Sequence, residues 1–398
     1  MNRPSRQRPD ALAAARSLGG PDGVELLATA SAQIGARLEQ ARLRSVHHRA
    51  GRSVSHVFDA TLNIDGERRD VLLVAHVDTR SLPDGAFVLE ADGDRVAVWR
   101  FPNDPYLPGL PSAVHRARVR ELLDSLGAPP GAVGLRTRAY RPTRRAVVEV
   151  TIQGDGGGQI LYLKVLAGRR AHQLGDIHRQ LVNHVPVPRV VGVAGEQGIV
   201  ALEALGGQTL RAALVADEPL PDAAEIVELS RRFMTSGLTS TRDPRAFAHP
   251  GRHVELLSRL VPDAADRITR VVAEAEAVDG PLVPVHGDLH DGQLLLVDGS
   301  VTGVLDVDGS GTGYRAQDAG NLVAHLQGVA EVWPDAAERA EAYAAAVADA
   351  FRPEVGARSL ARATAGAWLG LATGPYRAQE ADWPDATRRR IDRAVAAL

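Results

Sequence analysis

The chain has 398 residues, 44% hydrophobic and 24% charged, with a formal net charge of −3, the composition of an ordinary globular protein long enough for more than one core. It has no cysteine, which excludes disulfides, thiolate nucleophiles and cysteine-ligated zinc, and its arginines are dispersed among nearly equal numbers of carboxylates, which argues against a nucleic-acid binder. No apolar run approaches the roughly 20 residues of a membrane span, and the opening MNRPSRQRPDALAAARSLGG lacks the apolar core of a signal peptide, so small-molecule partners and a cytoplasmic location are expected.

Residues 1–130 read as an α+β module. VELLATASAQIGARLEQARL has helical spacing, and HVFDATLNI, RDVLLVAHVD, GAFVLEADG and DRVAVWRF then alternate like antiparallel strands joined by Gly and Asp turns. His76 and Asp78 in VAHVDT stand at alternate strand positions, where a metal pair would stand, although packing alone explains such a histidine. PNDPYLPGLP interrupts regular structure, SAVHRARVRELLDSLG reads as an amphipathic helix ending at Gly127, and APPGAVG marks a boundary.

From residue 131 the pattern is three strands, GLRTRAY, RRAVVEVTI and QILYLKVL, then the helical stretch RAHQLGDIHRQLVNH, then two more strands in PRVVGVAG and QGIVALEAL. GDGGG at 154–158 reads as a hairpin turn rather than a phosphate cradle, because no helix follows it. Of the 46 lysines and arginines, Lys164 is the sole lysine. A planar arginine cannot replace a compact ammonium that must reach a crowded phosphate pair, so a lone strand lysine points to nucleotide chemistry. The alternative is a snorkelling strand-end lysine kept by accident. Beyond GGQTL the chain turns helical in EIVELSRRFMTSG and HVELLSRLVPDAADRITRVVAEAEA, and it ends in Ala-rich helices.

Between these lies VPVHGDLHDGQLLLVDGSVTGVLDVDGSGTGYRAQDAGNL, residues 283–322, in which LLLVDG and VTGVLDVD form a hairpin. Asp288 stands five residues before Gln293 and eighteen before Asp306. This segment resembles the HGDLHxxN and IDxxD motifs of the aminoglycoside phosphotransferase and choline kinase-like family, and the Gln variant is similar to the actinobacterial maltokinase and glucosamine kinase branch. The resemblance covers roughly residues 131–398. It implies an α+β, bilobal protein-kinase-like fold, with a β-rich N-lobe at 131–206 and a helical C-lobe at 207–398, preceded by the module at 1–130 as a cap. It further implies ATP and Mg²⁺ as cofactors and, as acceptor, a hydroxyl of a small polar molecule such as a sugar, aminosugar or aminoglycoside.

The same resemblance implies roles that the chemistry of phosphoryl transfer makes sensible. Asp288 would orient the acceptor hydroxyl and take its proton, Gln293 and Asp306 would hold Mg²⁺ through hard oxygens, and Lys164 would contact the α- and β-phosphates. Asp308 would reach the metal if the strand continues past Asp306, or else form a turn before Gly309. His286 would brace the catalytic loop and Asp318 would anchor it. Three features depart from the family pattern. The helix at 171–184 has no Glu to pair with Lys164, which leaves Asp176 or Asp306; Tyr162 occupies a place above the adenine that is usually small; and YRPTRR replaces a Gly-rich loop, with Arg141, Arg144 or Arg145 covering phosphates or simply forming a solvated turn. A cationic aminosugar would call for carboxylates, for which Glu380 and Asp382 are the candidates. The alternatives are a catalytically inactive kinase-fold scaffold and a metal-dependent hydrolase built on His286, Asp288 and His290, the latter leaving Lys164 unexplained.

Overall fold

The computed structural model of the chain describes residues 18–80, 82–83, 86–91, 94–154, 157–239 and 249–398. The helix Pro21–Gln33 leads into a five-stranded antiparallel sheet of β1 (Ala36–Arg49), β2 (Ser53–Ile64), β3 (Glu67–Asp78), β4 (Phe87–Ala91) and β5 (Asp94–Arg100), in the order β1-β2-β3-β5-β4. The helical reading of ARLEQARL is corrected here. Gly35, at φ +73, turns the chain after Gln33, and the polar residues that follow form β1. This edge strand pairs only with β2, and irregularities between Leu38 and Gln40 and between Leu43 and Ser45 interrupt its alternation, so the inward Ala36, Leu38, Ala41, Leu43 and Val46 fall at near-helical spacing.

A second antiparallel sheet contains β6 (Ala132–Arg141), β7 (Arg145–Gly154), β8 (Gly157–Leu166), β9 (Val190–Ala194) and β10 (Ile199–Glu203), ordered β6-β7-β8-β10-β9, with the helix Arg170–Leu181 between β8 and β9. Alternation sorts its side chains onto two faces. Val148, Val150, Leu161, Leu163 and Val165 form the back, and they are covered by Leu107, Leu110, Val119, Leu122 and Leu123. The helix Arg116–Ser125, read from the sequence as part of the cap, therefore supplies the core behind this sheet. The front face carries Val147 opposite Lys164 and Glu149 opposite Tyr162.

The rest is mainly helical. Helices Ala223–Met234, Arg315–Val332 and Ala337–Val355 pack around Leu294, Leu296, Val304 and Val307, and helices Ala265–Ala275, Ala357–Ala372 and Trp383–Ala396 close a neighbouring core around Trp368. The run HVELLSRLVPDAADRITRVVAEAEA is two helices rather than one, Val254–Leu260 and Ala265–Ala275, broken at Pro262, which has no N–H to donate. The remaining strands are β11 (Gln208–Thr209), β12 (Leu282–Val285), β13 (Leu294–Val297), β14 (Ser300–Val304) and β15 (Gly311–Tyr314). β13 and β14 form a hairpin whose turn residues Asp298 and Gly299 both have positive φ, 49° and 78°, as a tight twisted hairpin demands. β12 pairs with β15, which places the loop 286–293 beside residues 305–310. Among the described residues no helix is long and apolar enough to cross a membrane.

Candidate active site

The loop after β12 is held from beneath. Asp318, in the first turn of helix Arg315–Val332, accepts the backbone N–H groups of His286 and Gly287 at 2.7 and 2.8 Å. Burial pushes its carboxyl up, and those N–H bonds and nearby His286 oppose the push. The His286 ring is fully buried with its Nε2 2.8 Å from the Leu305 carbonyl. A carbonyl only accepts, so Nε2 carries the proton and Nδ1 accepts from the Asp288 N–H at 3.2 Å. Gly287 has φ +83, a conformation that only glycine adopts freely. The result is a fixed backbone from 286 to 288 whose Asp288 side chain is left exposed at the cleft. Asn321, three residues past Asp318 on the same helix face, donates to Leu289 O at 2.9 Å and lies 3.5 Å from Asp288 Oδ1.

Across the cleft, the structure joins Lys164 to the residues that follow β14. The strand does not continue to Asp308. It ends at Val304, Asp306 takes a left-handed conformation (φ 59°, ψ 42°), and residues 307–309 form a short helical turn. That turn, not strand alternation, brings Asp308 beside Asp306; such conformations cost energy and persist where surrounding contacts enforce them. Lys164 Nζ donates to Asp306 Oδ1 at 2.9 Å and to Asp308 Oδ1 at 2.5 Å. Arg145, the first residue of β7, donates to Asp306 Oδ1 and Oδ2 at 2.9 and 2.8 Å and to Asp308 Oδ2 at 3.0 Å. The Gln293 amide lies 3.3 Å from Asp306 Oδ2 and 3.1 Å from His290 Nε2. Burial alone would raise the Asp306 carboxyl, but the adjacent Lys164 ammonium and Arg145 guanidinium outweigh it and hold the group well below the usual carboxylate range. For Lys164, burial lowers the pKa, and Asp308 and Asp306 reverse this and raise it.

The helix Arg170–Leu181 offers Lys164 no carboxylate. Asp176 pairs with Arg179 at 2.9 Å and is 63% exposed. That helix does carry the buried His178, whose Nδ1 bonds the Pro188 carbonyl at 2.8 Å and whose Nε2 has no partner among the described residues. Burial first, then the Lys164 charge, pushes this imidazole down to about 4.

On the front of the second sheet, the Tyr162 hydroxyl donates to Glu149 at 3.0 Å, and Arg138 donates to the same carboxylate at 2.8 Å. Arg141 ends β6 opposite Arg145, and Arg144 sits in the turn. Of the three arginines in YRPTRR, Arg145 is the one that engages the carboxylates. The hairpin tip at 155–156 lies outside the described residues, although Gly154 and Gly157 flank it as paired strand ends. His76, buried in the first sheet, bonds Ser55 Oγ at 2.8 Å, faces the Tyr106 hydroxyl at 3.3 Å and has its Nε2 3.9 Å from Asp78 Oδ2, and burial lowers it to about 4.

An open cavity adjoins Asp288, lined also by His249, Arg252, His253, Gln317 and Asn321. Glu380 and Asp382 do not line it. They fall in the turn before helix Trp383–Ala396, where Asp382 pairs with Arg389 at 3.1 Å, so the carboxylates expected for a cationic acceptor point elsewhere. Sequence reasoning also passed over Arg252 and Asn321, the latter detectable from its spacing after Asp318. It likewise missed Asp291 and His325, whose ligand atoms lie within 4.8 Å of one another and of His290, the histidine that the hydrolase alternative had placed with His286 and Asp288 instead. Arg211 already grips both Asp291 oxygens at 2.7 and 2.8 Å, so this group braces the loop and is spoken for as a cation site.

A family model described as the phosphotransferase enzyme family matches residues 161–358. Among solved structures, a thermostable mutant of aminoglycoside phosphotransferase APH(4)-Ia in ternary complex with ADP and hygromycin B is 16% identical, covering 70% of this chain and 98% of that one at a TM-score of 0.48. The GDP complex of aminoglycoside 2'-phosphotransferase-IIIa is 15% identical, covering 71% of this chain and 99% of that one at a TM-score of 0.44. The ethanolamine kinase of Plasmodium vivax is 12% identical, covering 65% and 82% at a TM-score of 0.44. No curated protein matches.

Proposed function

We propose that this chain, whose residues 161–358 match the model described as the phosphotransferase enzyme family, transfers a phosphoryl group from ATP to a hydroxyl of a small polar molecule of the sugar class. The observation that carries this reading is the meeting of Lys164 with Asp306 and Asp308 across the cleft from the braced Asp288 loop. Transfer of this kind needs positioning and charge neutralisation more than covalent help.

Asp306 and Asp308 offer hard carboxylate oxygens, with the Gln293 side-chain amide beside them, and would hold Mg²⁺ once it displaces the Lys164 and Arg145 cations that now occupy them. Bound there, the metal supplies neutralisation of phosphate charge. Lys164 offers a compact ammonium to the phosphates. Asp288 accepts a hydrogen bond from the acceptor hydroxyl and takes its proton as the oxygen bonds to phosphorus and ADP leaves. Asn321 limits the swing of that carboxylate. A nucleotide-binding scaffold without turnover is the second reading, favoured by the engagement of both acidic residues by Lys164 and Arg145. Incubating the protein with ATP, Mg²⁺ and a panel of sugars, sugar acids, aminosugars and amino alcohols separates the two. Acceptor-dependent ADP release supports the transferase, and nucleotide binding without release for any acceptor supports the scaffold.

A further inference from the structure

The turn between β6 and β7 is held in a conformation that its own residues do not favour. The Arg144 N–H donates to the Arg141 carbonyl at 3.1 Å, closing a four-residue turn with Pro142 second and Thr143 third. Thr143 has φ +64, a value that turns give to Gly or Asn at this place, and for a β-branched side chain it is an outlier that the surroundings must enforce. The enforcing contact comes from the module before β6. Asp104 Oδ2 accepts the Thr143 N–H at 2.8 Å, and both residues are buried.

Asp104 is itself fixed by two further donors. Its Oδ1 accepts the Tyr106 N–H at 2.9 Å, and its Oδ2 also accepts the Tyr140 hydroxyl at 2.9 Å. The Trp99 indole N–H can only donate, so at 2.9 Å it fills the Tyr140 oxygen and directs that hydroxyl's proton to Asp104. Burial pushes the Asp104 carboxyl up, and the bonds from Thr143, Tyr106 and Tyr140 oppose the push. Trp99 belongs to the first sheet, where Val57, Val74 and Ala97 surround it, and Tyr140 of β6 packs on the same patch. Three hydrogen bonds thus run in series from the first sheet through Tyr140 and Asp104 to the turn of the second. Two residues beyond Thr143, Arg145 leaves that turn and donates to Asp306 and Asp308.

We propose that Asp104 is a positioning residue of the metal site: it fixes the β6–β7 turn so that Arg145 leaves it toward Asp306 and Asp308, and the module before β6 thereby sets how strongly the nucleotide-free site resists a divalent cation. A guanidinium is a rigid fork, and its hold on paired carboxylates depends on the backbone that presents it. With the turn clamped, Arg145 is already ordered where it meets the carboxylates. With the turn released, the same contacts carry the entropy cost of ordering it, and Arg145 competes less well with a metal ion. A shift of the first sheet against β6 therefore acts on the metal oxygens through this one carboxylate. The proposal rests on the phosphotransferase reading only in taking Asp306 and Asp308 for metal oxygens.

The test is a double-mutant cycle. Mn²⁺ is titrated into the nucleotide-free, full-length protein and read by water-proton relaxation for wild type, Asp104→Ala, Arg145→Gln and the variant carrying both, and hydrogen exchange at the Thr143 amide is followed in each. Asp104→Ala should speed Thr143 exchange and tighten Mn²⁺ binding at least about fivefold, short of the effect of Arg145→Gln, whereas in the Arg145→Gln background it should change Mn²⁺ affinity by less than about twofold. Wild-type Mn²⁺ affinity in Asp104→Ala would overturn the proposal. So would the same tightening with and without Arg145, which is what a general loosening of the fold produces. Asp104→Asn, which keeps an acceptor on one side of the group only, is judged by the same criteria and decides the matter if the Ala variant does not fold. Mn²⁺ binding to none of these proteins would count against the metal reading instead, and the clamp is then decided by exchange alone: a faster Thr143 amide in the Asp104 variants upholds it, and an unchanged one overturns it.

Discussion

Arg145→Gln should tighten divalent-cation binding to the nucleotide-free protein. Arg145 donates three hydrogen bonds, at 2.8 to 3.0 Å, into the oxygens of Asp306 and Asp308, and its side chain is only 20% exposed. A metal ion that takes those oxygens must first displace the guanidinium. A hydrogen bond to a charged group contributes about 1.5–3 kcal/mol net, and each 1.4 kcal/mol is tenfold in affinity. Because displacement loses one such interaction net of what Arg145 regains in water, removing the competitor should strengthen binding roughly 10- to 100-fold. Gln is neutral and shorter, so Lys164 remains as the sole cation on the pair. Titration with Mn²⁺, followed by water-proton relaxation at neutral pH, reads the dissociation constant without any catalytic step. An unchanged or weaker affinity in Arg145→Gln would refute the idea that this arginine competes for the metal oxygens.

Two further outcomes follow from the same geometry. Lys164→Arg keeps the charge but puts a wide planar group between Asp306 and Asp308, where an ammonium now reaches both at 2.9 and 2.5 Å; the melting temperature should stay within a few degrees while ADP release falls at least about a hundredfold, and near-wild-type release would show the lysine to be dispensable. His76 and His178 are both lowered to about 4 by burial, so they stay neutral in the fold but take protons when the chain unfolds near pH 5; their stabilising contribution is complete above the unfolded value near 6.5 and is lost as pH falls toward 4, which calorimetric melts across that window should record as a falling melting temperature with proton uptake on unfolding.

What could be read from the chain was what lies close together along it. HGDLH, its following Gln293 and the hairpin before Asp306 fall within one stretch, so spacing alone set them on neighbouring loops. Alternation placed Lys164 and Tyr162 on one strand face. The contacts of Arg145 were invisible because its partners lie 161 and 163 residues away, and no local pattern tells which arginine of YRPTRR turns inward. Asp308 was read either as lying on a continuing strand or as forming a turn before Gly309, and the turn is what forms, because a left-handed Asp306 redirects the chain, a conformation that packing enforces and propensity disfavours. β1 was hidden because two register shifts spread its inward residues Ala36, Leu38, Ala41, Leu43 and Val46 to near-helical spacing, and the helix Arg116–Ser125 looked like part of the cap because its apolar stripe does not say which sheet it covers. Glu380 and Asp382 were chosen for their charge. The fold instead leaves them outside the lining of the cavity beside Asp288.

The central claim is that Asp288 aligns and deprotonates an acceptor hydroxyl for attack on a bound nucleotide, and it is tested most directly by single-turnover transfer from γ-labelled ATP in wild type and Asp288→Asn, each measured at saturating nucleotide. The substitution is nearly isosteric and the side chain is exposed at the cleft, so ATP affinity should be kept while the transfer rate falls at least about a hundredfold. Transfer in Asp288→Asn at close to the wild-type rate would contradict the account.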